Sequence, residues 1–110
     1  MGTATSALQA CVRTTAPSVP DGATASLKQM EAASIAFRAY DAATNSFIKC
    51  VDSTVDHVAK QFAGVAAESD LQSLKTFGVS IHNTAVDQEQ AVVDKFNSQI
   101  RTYKAKHAKS

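Results

Sequence analysis

An all-α fold is what the sequence predicts: a long antiparallel helical hairpin with an extended N-terminal strap, able to pair into a four-helix bundle. Three observations carry that expectation. Proline occurs only at Pro17 and Pro20, and the rest of the chain beyond them holds just Gly22, Gly64 and Gly78 as glycines. Proline and glycine are the strongest helix breakers, so their scarcity in an Ala-rich chain points to helix almost throughout. Apolar residues also recur at three- and four-residue spacing, while alternation with period two is nowhere sustained, which excludes a sheet. Finally, one cysteine precedes the prolines and the other lies far along the first helical stretch, at Cys11 and Cys50.

The totals fit one domain of 110 residues with a modest core. Aromatics are 6% and Trp is absent, so the chain must bury many small contacts rather than a few large ones. A net charge of +1 argues against wholesale attraction to nucleic acid or to an anionic membrane. No run approaches the ~18 apolar residues that span a bilayer.

Taken in order, residues 1–10 read as a leader remnant or a cloning remnant. Leu8-Gln9-Ala10-Cys11 has a loose likeness to a lipoprotein cleavage box, which would acylate Cys11 and leave Cys50 unpaired. Residues 11–23 form the strap, where Pro17 and Pro20 favour an extended path and Pro20-Asp21-Gly22 a turn.

The first helix is expected over residues 24–66. Ser26 and Gln29 have capping-box spacing, with Thr24 a rival cap. Met30, Phe37, Thr44, Val51, Val58 and Val65 then repeat every seven residues. A neighbouring row runs Leu27, Ser34, Asp41, Ile48, Val55 and Phe62. Together they keep one stripe toward a partner, with polar flaws at Ser34, Asp41 and Thr44.

The second helix is expected over residues 69–106, opened by a second capping box at Ser69 and Gln72. Its stripe is Leu71, Leu74, Phe77, Ile81, Ala85, Val92, Phe96, Ile100 and Tyr103. Arg101, Lys104, Lys106 and Lys109 lie where the helix dipole favours cations; phosphate contact is the rival use of that charge. A turn between Gly64 and Ser69 is short enough to force antiparallel packing.

Two cysteines permit an internal bridge, free thiols or an intermolecular link, and a thin core in an oxidising compartment favours the bridge. Length agrees with it. Cys50 lies roughly 37 Å along the helix at ~1.5 Å per residue. The segment back to Cys11 reaches roughly 43 Å when extended at ~3.1 Å per residue.

Chemistry is sparse. No catalytic residue, metal ligand set or cofactor is expected, and the chain reads as a non-enzyme. There is no Gly-x-Ser-x-Gly elbow and no Gly-rich phosphate loop, and a bridged cysteine is no nucleophile. Asp56 and Lys60 have the spacing of a surface ion pair. A hairpin turn centred near residue 69 would set His57 opposite His82, with Asp52, Asp56 or Asp87 near enough for a transition-metal site. His107 is the third histidine that could be suspected of binding a metal. The informative feature is the apolar stripe Phe37, Ile48, Val51, Val58, Phe62, Ile81, Val92 and Phe96, the candidate interaction surface for a protein partner or a second copy. Phe47, Ile48, Phe62, Val86, Val93 and Phe96 spread beyond a narrow seam, and covering by residues 12–19 of the strap is the plainer use of that excess. The rival function is a carrier of a small apolar ligand or a metal ion.

Certain residues also carry a resemblance. Cys11 through Pro17, Val19-Pro20-Asp21-Gly22-Ala23-Thr24-Ala25 and Met30 open it. Arg38-Ala39-Tyr40-Asp41-Ala42-Ala43-Thr44-Asn45, Phe47 and Cys50 follow, and Phe96-Asn97, Ile100-Arg101 and Tyr103-Lys104 close it. The pattern resembles a group of small secreted, uncharacterised proteins of Gram-negative bacteria, over most of the chain and more weakly between residues 55 and 85. That resemblance implies a removed signal peptide and a periplasmic or extracellular home, and it implies no activity.

Overall fold

The structure is a computed structural model that describes residues 10–107; the expected leader up to residue 9 and Lys109 lie outside the described residues. Two helices, α1 (Leu27–Gln61) and α2 (Glu68–His107), pack antiparallel as an all-helical hairpin. The molecule is a rod of 68 × 19 × 16 Å. Its radius of gyration of 19.3 Å well exceeds the ~13 Å of a compact chain this long.

Local hydrogen bonding sets the start of α1. The Asp21 carbonyl accepts from the backbone N–H of Thr24 and of Ala25, which places Thr24 in a turn ahead of the helix. Ser26 is the N-cap: its Oγ accepts from Gln29 N–H at 3.1 Å, and Gln29 Oε1 accepts from Ser26 N–H at 2.8 Å. The helix ends at Gln61, five residues before the expected limit, with Phe62 as its C-cap. Gly64, at φ +79°, turns the chain into the left-handed region that glycine enters without steric cost. Val65, the last member of the expected heptad row, therefore falls in the loop and is 80% exposed.

The expected Ser69 cap is not formed. α2 begins at Glu68, which puts Ser69 inside the first turn, while the Ala67 carbonyl accepts from Asp70 and Leu71. Glu68 and Asp70 complement the positive end of the helix dipole, and Lys104, Lys106 and His107 the negative end.

Three small apolar clusters form the seam. Near the tip Val58 and Leu74 pack with Val55, Ala59 and Phe62. At mid-rod Cys11, Phe47, Val51 and Ala85 are buried, with Ile48, Cys50, Val55 and Ile81 against them. At the open end Ala25, Met30 and Phe96 pack with Val19, Phe37, Ile100 and Tyr103. The expected α2 stripe errs at Phe77, which is 52% exposed; Gly78 takes the seam position instead. A Cβ at Gly78 would lie 2.7 Å from Val55 Cγ2, so the helices touch there at backbone distance.

The strap is held at both ends. Cys11 is bridged to Cys50, with Cα atoms 5.6 Å apart. At the other end Gly22 N–H donates to Gln99 Oε1 at 2.8 Å. A Cβ on Gly22 would meet the Gln99 carbonyl oxygen at 2.1 Å, so only glycine fits between the strap and α2.

Candidate interaction face

Every residue of the expected interaction stripe lies on or beside the seam within one chain. Val51, Val58 and Phe96 are buried, and Phe37, Ile48, Phe62, Ile81 and Val92 are half-buried. Phe37 sits 5.7 Å from the Phe96 ring and 6.4 Å, edge to face, from Tyr40. The hairpin and its strap thus consume the expected stripe, while Leu27, Ile35, Phe77, Val79 and Val86 stay exposed.

The strap fills one of the two grooves that a helix pair presents. Arg13 donates to Gln88 Oε1 on α2 and stands 5.4 Å above the Phe47 ring on α1, a cation–π contact across the groove. Cys11 Sγ lies 3.8 Å from Thr54 Oγ1. Between strap and hairpin remains an open cleft of about 430 Å³, with Thr15, Ala16, Tyr40 and Val92 among its walls.

Polar bridges stitch the helices together. His82 Nδ1 lies 3.1 Å from both carboxylate oxygens of Asp52. His82 therefore faces Asp52 and not His57, which is exposed. The connection between Gln61 and Glu68 centres the hairpin nearer residue 67 than 69, so the register that would pair His57 with His82 is not the one formed. Among the described residues no group of three His, Cys, Asp or Glu side chains could hold a metal ion.

A second bridge was not foreseen. Asp41 of α1 faces Glu89 of α2, beside the buried Thr44. Burial, a hydrogen bond from the carboxyl to Asp41 and the charge of Asp41 push the Glu89 carboxyl up from 4.5 to about 7, against a smaller pull down from the Thr44 hydroxyl. The Glu89 carboxyl therefore keeps its proton at slightly acidic pH. Asp41 and Thr44 are two of the three polar flaws of the expected stripe, so the signal lay in what faces them.

At the open end Tyr103 stacks on His107 with ring centres 4.1 Å apart, and His107 Nδ1 bonds the Tyr103 carbonyl at 2.9 Å. His107 is thus engaged on its own helix. At the other end Lys60 and Asp56 form the expected i,i+4 pair at 3.0 Å, highly exposed and worth little.

These features define a disulfide-strapped helical hairpin. No protein-family model, curated protein or solved structure matches the chain. No helix among the described residues is long and apolar enough to cross a membrane.

Proposed function

We propose that the chain is a non-enzymatic helical protein of the periplasm or cell exterior that acts through protein–protein contact or self-association. One observation carries this: a thin rod whose strap covers one groove, while Val79 and Val86 stand 58% and 44% exposed along α2. Val79 and Val86 lie one heptad apart on the same face of α2, beside the groove that the strap leaves open, which is the spacing of a helix-packing surface. The Cys11–Cys50 bridge favours an oxidising compartment, in keeping with the secreted group that the sequence resembles. Both thiols are consumed by that bridge, and the His82–Asp52 and Glu89–Asp41 groups serve each other across the seam.

The test is sedimentation equilibrium of the oxidised protein over a wide concentration series. A dimer or higher species is expected. A mass of 11.6 kDa at every concentration would overturn self-association. The cleft beneath the strap favours one alternative, a carrier of a small apolar ligand, since its volume of about 430 Å³ is within the ~300–1,000 Å³ of ligand sites. A monomer whose melting temperature rises with a medium-chain fatty acid, and not after Tyr40→Ala, would favour that reading.

A further inference from the structure

We propose that the groove opposite the strap is where a second copy of this chain docks, antiparallel, to complete a four-helix bundle with Val86 near its two-fold axis. The docking site rests on the self-association proposed above and deepens it.

Helix geometry locates the groove. Cys50 on α1 and Gln88 on α2 are the residues that the strap engages. Asp52 and Val86 each lie two residues away, a rotation of about 200°, and so face the opposite side. Val79, Val86 and Val93 repeat by sevens and share that face. Leu27, 59% exposed, lies on the same α1 row as Asp41 and Ile48. The open groove therefore carries an apolar row flanked by the Asp41–Glu89 and Asp52–His82 bridges, whose groups are already partnered.

Area and symmetry select the occupant. α2 is about 60 Å long at ~1.5 Å per residue, and with a rod 16–19 Å wide the face offers about 1,000 Å², against the ~800 Å² per partner of a standard interface. The midpoint of α2 falls within two residues of Val86. A two-fold axis there sets Val86 against Val86 of the second copy and Val79 against its Val93. The same axis brings the Asp41–Glu89 level of one copy over the Asp52–His82 level of the other, because both levels lie about equally far from the centre.

Charge fixes the direction. At the open end Lys28, Lys95, Arg101, Lys104 and Lys106 outnumber Asp21 and Glu31. Around the tip Asp56, Glu68 and Asp70 outnumber Lys60 and Lys75. Antiparallel copies lay the basic end on the acidic tip twice, whereas parallel copies set like on like.

Two measurements on the oxidised full chain test this. In sedimentation equilibrium, Val86→Glu is expected to weaken dimerisation by more than about 100-fold, because two carboxylates would meet on the axis. Its helicity by circular dichroism should stay native, since Val86 is 44% exposed in the single chain. Ile35→Glu, also at an exposed residue but on the outer face, should leave the dimer intact. In the wild type, carbodiimide cross-linking should join Lys104 or Lys106 of one copy to Glu68 or Asp70 of the other, read by mass spectrometry. A dimer that survives Val86→Glu, or one cross-linked from Lys104 to Glu31, would overturn the docking site while leaving self-association standing. A monomeric wild type would overturn both.

Discussion

Removing the Cys11–Cys50 bridge tests how much of the hairpin's stability comes from its strap. The bridge spans a sequence separation of 39, and the chain-entropy relation gives about 4 kcal/mol of stabilisation for a loop of that size. Typical domains have only ~5–15 kcal/mol in total, and this core is thin, so the bridge is a large share. For a chain of 110 residues, 4 kcal/mol corresponds to about 15 °C in melting temperature. Cys11→Ala with Cys50→Ala should therefore melt about 15 °C below the oxidised wild type, by circular dichroism at 222 nm. Reduction of the wild type should give the same curve. Cys11 also packs with Phe47, Val51 and Ala85, so the freed strap should admit solvent to that cluster. A drop of less than about 3 °C, with the wild type shown oxidised by intact mass, would refute the strap's role in the fold.

Three further outcomes follow from single side chains. Val58, 3% exposed at the tip seam, has no polar partner nearby, so Val58→Asp should cost about 3–5 kcal/mol and abolish most native helicity at 37 °C. A Val58→Asp protein with a native melt would show that the seam is assigned to the wrong face. Gly22→Ala forces a methyl toward the Gln99 carbonyl, and neither backbone can yield cheaply; a loss of about 1–3 kcal/mol in urea unfolding is expected, and an unchanged midpoint would show that the strap does not hold this position. For Glu89 the folded carboxyl binds its proton more tightly than the unfolded one. Its contribution is thus most favourable below pH 4.5 and is lost as pH rises through about 7. Allowing for solvent screening at a half-buried site, the loss should be about 1–2 kcal/mol. Glu89→Gln should flatten that part of the pH profile, and identical profiles for the two proteins would contradict the Asp41–Glu89 pairing.

What the sequence made legible was local. Ser26 and Gln29 satisfy each other's backbone three residues apart, so spacing offered the observed cap of α1 alongside Thr24, and the structure selects Ser26. The bridge could be checked by chain length, because an extended strap and a helix have fixed rises per residue. The failures came where a distant backbone decides. The loop between Gln61 and Glu68 centres the hairpin near residue 67, and two residues of register decide that His82 meets Asp52 and not His57. Phe77 looked like a seam residue because it is large and apolar, yet the close approach at Val55 demanded the absence of a side chain and selected Gly78. Glu89 belongs to no apolar row, and only the register between helices sets it against Asp41. The candidate stripe was readable as a set of residues; its burial within one chain, and the exposure of Val79 and Val86 instead, depend on which groove the strap occupies.

Small-angle X-ray scattering of the oxidised protein across a concentration series tests the central claim most directly, because it reports mass and shape together. Side-by-side pairing predicts a mass rising to twice 11.6 kDa while the maximum dimension stays near 68 Å. A mass fixed at 11.6 kDa throughout would contradict self-association, and a doubled mass with a doubled length would contradict pairing along the open groove.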